Sequence, residues 1–155
     1  MHPLAEKVQI TLNALGYFGQ VQELPTSTRT ATEAAQSIGC EVGQIVKSLV
    51  FILSRDQTPI LLLVSGRNRV DESKVGDLLK DKIRKATAQE VGQITGFPIG
   101  GVPPVGHRQP IPTYMDEDLL QFDVVWAAAG TPNSVFPVSP FHLKEFTKAW
   151  IIPVK

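Results

Sequence analysis

Apolar residues at Leu4, Val8, Leu12 and Leu15 recur at helical spacing, and Gly16 follows as a stop. This pattern predicts that the chain opens with an amphipathic helix. A short strand near Val21 to Leu24 comes next, and then Thr30 with Glu33 forms a capping-box pair before an Ala-rich helix that should finish at Gly39. The period then changes. Val46 to Leu53 and Pro59 to Val64 are β-branched or apolar runs separated by the polar stretch Ser54-Arg55-Asp56-Gln57-Thr58, which reads as two adjacent central strands. Asp71 can cap a helix carrying Val75, Leu78 and Leu79, and Thr87 with Glu90 opens another that ends near Gly96. Strands resume at Ile111 to Met115, Val124 to Ala128 and Ser134 to Val138, before Ser139 and Pro140 start a final helix. Strands and helices in this irregular order predict an α+β fold with a mixed, mostly antiparallel central sheet flanked by helices. No repeat or long linker divides residues 1–155, so one domain is expected.

Composition narrows the setting. The 15 basic and 15 acidic residues cancel, so no global positive field draws in the length of a nucleic acid, and DNA is not an expected partner. Any RNA contact must be local. Seven of the Lys and Arg residues, from Arg67 to Lys85, share one stretch with four acids. Each of these is either a solvated helix position or part of a local cationic patch. The single cysteine, Cys40, rules out an internal disulfide and reads as a small buried hydrophobe in a reducing compartment. No leader pattern opens the sequence and the longest apolar runs are far short of a membrane span, so a cytoplasmic protein without a membrane partner is expected. Three scattered histidines show no metal-ligand spacing, and no cofactor motif is present, so neither metal nor cofactor is expected.

From Gly96 to Pro112 four glycines and five prolines fall within seventeen positions. A loop of that length in a compact domain needs a reason, and its prolines stiffen it. Pro103 and Pro104 contribute no amide, which leaves those of Gly100, Gly101, Val102, Val105, Gly106 and His107. Such a set is either a cradle for an anionic oxygen or a rigid corner crossing the sheet. Lys47 interrupts the run Ile45 to Leu53 near its start and shares a face with Leu49, Phe51 and Leu53. It either snorkels outward or supplies its charge to a pocket edge.

The lone strand-start lysine in "QIVKSLVF", the downstream "GFPIGGVPPVGH" and the segment "SGRNRVDESKVGDLL" together resemble the YbaK/EbsC family, over essentially the whole chain. The pair of motifs is similar also to the editing domain inserted in bacterial prolyl-tRNA synthetases. The resemblance implies a mixed sheet flanked by helices and an activity of aminoacyl-tRNA deacylation, with the aminoacyl-tRNA 3′ end as partner and prolyl-tRNA synthetase as a possible second one. It places Lys47 at the family's functional lysine, Gly100, Gly101 and Pro103 in its substrate loop and Gly130 in a nearby glycine turn. Val102, Gly106, His107 and Ala129 join the expected substrate contacts. Ala129 and His107 stand where relatives carry Ser and Gln, so the amino acid removed can differ from theirs.

Ester hydrolysis passes through an oxyanion, and the loop amides are the expected donors to it. Lys47 would orient the tRNA end by its charge. Ser65 lacks a nucleophile elbow and Cys40 has no histidine near it in sequence, so water is the expected nucleophile. His107 is either a general base or a backbone donor, and Asp116, Glu117 and Asp118 fit the acidic start of a helix. The alternatives are a non-catalytic nucleotide or RNA 3′-end binding module and an accessory partner of a synthetase.

Overall fold

The computed structural model describes residues 1–26 and 30–155. The helices are α1 (Pro3–Ala14), α2 (Ala31–Ile38), α3 (Glu72–Leu79), α4 (Ala88–Thr95) and α5 (Pro140–Thr147). The strands are β1 (Gln22–Glu23), β2 (Ile45–Leu53), β3 (Pro59–Ser65), β4 (Ile83–Lys85), β5 (Thr113–Asp116), β6 (Val125–Ala128), β7 (Ser134–Val138) and β8 (Trp150–Ile152). Helix starts follow the expected chemistry. Thr30 and Thr87 accept from the amides of Glu33 and Glu90, Asp71 from that of Lys74, and Ser139 precedes Pro140 as cap. Gly39 and Gly96 end their helices in left-handed conformation, which glycine adopts without strain.

The sheet runs β1-β7-β6-β2-β3-β5-β8, with β4 also paired to β2. Its pairings mix four antiparallel with three parallel ones, the latter joining β2 to β6, β3 to β5 and β5 to β8. This is the expected mixed α+β arrangement. β2 and β3 are nearly continuous apolar runs because both faces are covered. Val46, Val50, Ile52, Leu61 and Leu63 pack with Leu12, Val91, Phe136 and Leu143 on one side, while Phe51, Ile60, Leu62 and Val64 pack with Val75 and Val154 on the other.

Some elements differ from the expectation. β4 lies between α3 and α4, where charges around Ile83 hide a three-residue strand, and β8 follows α5. The strand expected at 111–115 begins at Thr113: Pro112 has no amide to donate, although its carbonyl accepts from Leu61 N at 2.9 Å. Cys40 is only half-buried, packed beside Ala34, Ala35 and Ile45 rather than in a main core. The long loop carries its own anchors, since Phe97, Val102, Val105 and Ile111 are all inside the larger core.

One break in the ladder positions everything that follows. β2 pairs with β6 only through Ile45 and Val46, and with β4 only through Phe51, Ile52 and Leu53. Between those contacts, among the described residues, no strand pairs with residues 47–50 along that edge.

Candidate functional site

A cleft of about 640 Å³ opens at this break. Lys47, Arg69 and Lys85 contribute one part of its lining, Ile99, Gly100 and Val102 another, and Trp126 and Ala128 of β6 a third. Among the described residues, none of the three cations has a carboxylate within ion-pair distance. Gathering like charges without a counter-charge is unfavourable in the free protein and favours an anionic ligand.

Lys47 is half-buried, and its ammonium donates to the carbonyl oxygen of Asn68 at 2.5 Å. Burial lowers its pKa below the ordinary lysine range, the neighbouring Lys85 and Arg69 lower it further, and Asp116 opposes them. The carbonyl that holds it is itself fixed. Asn68 donates through Nδ2 to Asp116 Oδ2 and to Asp118 Oδ2, each at 2.8 Å. Asp116 is fully buried and also accepts from Ser65 N at 3.0 Å and from Asp118 N at 2.9 Å. A buried carboxylate with this many donors is well compensated, so the assembly is rigid. Asp116 thus does cap the 3-10 turn Glu117–Gln121, as its place in the sequence suggested, and in addition positions the lysine's acceptor.

The loop meets the cleft through its glycines. Gly100 has φ +87°, and among the described residues no acceptor faces its amide or that of Val102. The amide of Gly101 is already engaged by Pro98 O at 3.0 Å, and its carbonyl accepts from Gly130 N at 2.9 Å. Gly130 has φ +102° and lies against the backbone of Leu4. His107 donates through Nε2 to Pro103 O at 2.7 Å, which fixes the proton on that nitrogen because a carbonyl only accepts. Burial of this ring lowers its pKa. Gly106 rests on Thr11 of α1.

The structure therefore brings Lys47, Gly100 and Val102 to one cleft. Gly101, Pro103, Gly106, His107, Ala129 and Gly130 do not line it. Gly101 and Gly130 brace the loop against the β6–β7 turn, and His107 ties Pro103. Sequence reasoning missed Ser48, Arg69, Lys85 and Trp126 in the lining and the Asn68–Asp116 pair that anchors Lys47. The "GRNR" run directly after a strand was the available signal for Asn68 and Arg69. Among the described residues no group of three His, Cys, Asp or Glu side chains is placed to hold a metal, and no helix is long and apolar enough to cross a membrane.

A mixed sheet whose broken ladder opens a cationic cleft, lined also by loop residues whose amides have no acceptor among the described residues, is the architecture of this domain. The chain belongs to the family of aminoacyl-tRNA editing domains, whose model matches residues 26–146. It is similar to the uncharacterized protein YwhH of Bacillus subtilis (strain 168), at 37% identity over 84% of each chain. It is similar also, at 26% identity over 76% of this chain and 72% of the other, to EbsC of Enterococcus faecalis (strain ATCC 700802 / V583), provisionally assigned as a Cys-tRNA(Pro)/Cys-tRNA(Cys) deacylase. A solved structure described as a candidate trans-editing enzyme for prolyl-tRNA synthetase superposes with a TM-score of 0.95 at 51% identity, covering 100% of this chain and 98% of that one.

Proposed function

We propose that residues 1–155 form one trans-editing hydrolase that removes a wrong amino acid from tRNA, most directly Cys, Ala or another small residue from tRNA-Pro, in the cytoplasm. The observation that carries this reading is the cleft at the break in the β2 edge, which is lined by three cations without an ion-pair partner and two residues whose amides lack acceptors among the described residues. The cations suit the phosphates of the tRNA 3′ end, and the amides of Gly100 and Val102 suit the oxygen that turns negative as water attacks the ester. Each such donor is commonly worth about 3–4 kcal/mol of barrier.

In this reading Lys47, Arg69 and Lys85 hold the terminal phosphate or ribose, and the loop polarises the ester carbonyl. Water is the nucleophile in this reading, because Ser65 lacks a nucleophile elbow and Cys40 has no histidine near it in sequence. The ester C–O bond breaks, the tRNA hydroxyl leaves with a proton, and the free amino acid keeps its carboxylate. The family, and the names carried by its relatives, support the substrate class.

The test is deacylation by the purified chain of a panel of tRNAs charged with Cys, Ala, Ser and Pro. Rapid hydrolysis of a mischarged tRNA-Pro with Pro-tRNA spared is the expected result. Tight binding with no turnover on any of them would favour a binding module instead.

A further inference from the structure

Ser48 lies at the centre of the break, and the ladder around it shows where its groups point. Ile45 O accepts from Gly66 N, and Leu53 N donates to Thr58 O, so odd-numbered residues of β2 turn their backbone groups toward β3. Val50 O accepts from Ala86 N, and Ser54 N donates to Lys82 O, so even-numbered residues turn toward the other edge. On that edge Val46 is covered by β6 and Ile52 by β4. Ser48 is even and falls between them, so its N–H and C=O face the cleft with no strand opposite among the described residues.

Its side chain carries the second, independent sign. Ser48 Oγ is buried and, among the described residues, has no hydrogen-bond partner. A buried hydroxyl left unsatisfied is costly in the free protein and calls for an explanation in the bound state. Ser48 also lines the cleft.

We infer that Ser48 is the subsite for the substrate's α-amino group, its main-chain carbonyl and its hydroxyl oxygen both accepting from that ammonium. This rests on the deacylase reading above and adds to it a residue and a recognised group. The surrounding cleft is rich in donors: three cations and the amides of Gly100 and Val102. These suit phosphate and carbonyl oxygens and repel an ammonium. An aminoacyl ester also carries one strong cationic donor, and it needs an acceptor within the same cleft. Ser48 offers two oxygens for it on one residue, where a strand edge is open to pairing by a main-chain-like group. Serine side chains exchange among staggered rotamers, so a change of χ1 at Ser48 is the movement that would present Oγ to a ligand.

The test compares wild type, Ser48→Ala and Ser48→Thr on one mischarged tRNA carrying either a free or an N-acetylated α-amino group. Wild type is expected to prefer the free amine by about tenfold or more. Ser48→Ala should lose about tenfold in kcat/KM on the free amine and little on the N-acetyl form, so that the preference collapses. Ser48→Thr, which keeps the hydroxyl, should retain it. The Ala variant should melt no lower than wild type, because it removes an unsatisfied group; a merely structural serine would lower the melting temperature instead. Equal rates of Ser48→Ala and wild type on the free amine overturn the inference, as does an equal loss on both substrates. Failure of wild type on every charged tRNA is a different result, and it overturns the deacylase reading together with this subsite.

Discussion

Gly101 and Gly130 touch backbone to backbone: the carbonyl of the first accepts from the amide of the second at 2.9 Å. A Cβ on residue 101 would lie 2.9 Å from the carbonyl carbon and oxygen of Gly130, a separation that real side chains do not tolerate without movement. The contact ties the proline-glycine loop to the β6–β7 turn and so fixes where the amides of Gly100 and Val102 stand. Gly101→Ala is therefore expected to destabilise the fold by about 1–3 kcal/mol and to lower deacylation more than stability alone explains. Thermal melts and single-turnover rates measured at a temperature where the variant remains folded check both parts. A variant with wild-type turnover would show that loop placement is immaterial.

Much of the architecture was legible because caps and periodicity act locally. Thr30, Asp71, Thr87 and Ser139 each start a helix by satisfying an amide nearby in sequence, and β2 and β3 announce themselves as continuous apolar runs. β4 was not legible, since Ile83-Arg84-Lys85 becomes a strand only by meeting Phe51 to Leu53 far away in sequence. The site divides in the same way. Lys47 and the glycine loop stood out by residue type, whereas the part played by Asn68 and Asp116 depends on a contact spanning 48 residues. Tertiary pairing, which no local window contains, made that part of the site.

The Asn68–Asp116 contact makes its own prediction. Asp116→Asn keeps the size but replaces one acceptor oxygen with an NH₂, which faces either the donors of Ser65 and Asn68 at Oδ2 or that of Asp118 at Oδ1. The expected cost is about 1–3 kcal/mol for the unsatisfied groups, together with a fall in kcat as the Asn68 carbonyl loosens its hold on Lys47. Chemical denaturation gives the first number and single-turnover deacylation the second. Unchanged kcat in a stably folded variant would separate Asp116 from the lysine.

His107 supplies a pH test of stability. Burial lowers its pKa, so the folded chain binds this proton less readily than the unfolded chain does. The stability gained from a neutral ring is complete above the unfolded value of about 6.5 and is lost as pH falls through the lower folded value. The melting temperature of wild type should thus decline as pH is lowered below about 6.5. In His107→Gln, which does not titrate there, the decline should be shallower. Parallel melting curves for the two proteins would show that another group controls acid stability.

Lys47 supplies a pH test of activity, and its neighbours set the sign. With the ammonium pushed below the ordinary lysine value by burial, Lys85 and Arg69, its charge is lost at a lower pH than that of a free lysine, near 10.4. Enzyme-dependent deacylation, corrected for spontaneous ester hydrolysis, should therefore fall on an alkaline limb below that value. Arg69→Ala removes one like charge, so the limb should move to higher pH, while KM rises and becomes less sensitive to salt because one phosphate contact is gone. Lys47→Arg keeps its charge throughout the range and should lack the limb, at whatever reduced rate the bulkier group permits. Lys47→Ala should lose most of the activity at every pH. A limb that stays in place when Arg69 is removed would assign it to a group other than Lys47, and wild-type rates in Lys47→Ala would take the lysine out of the reaction.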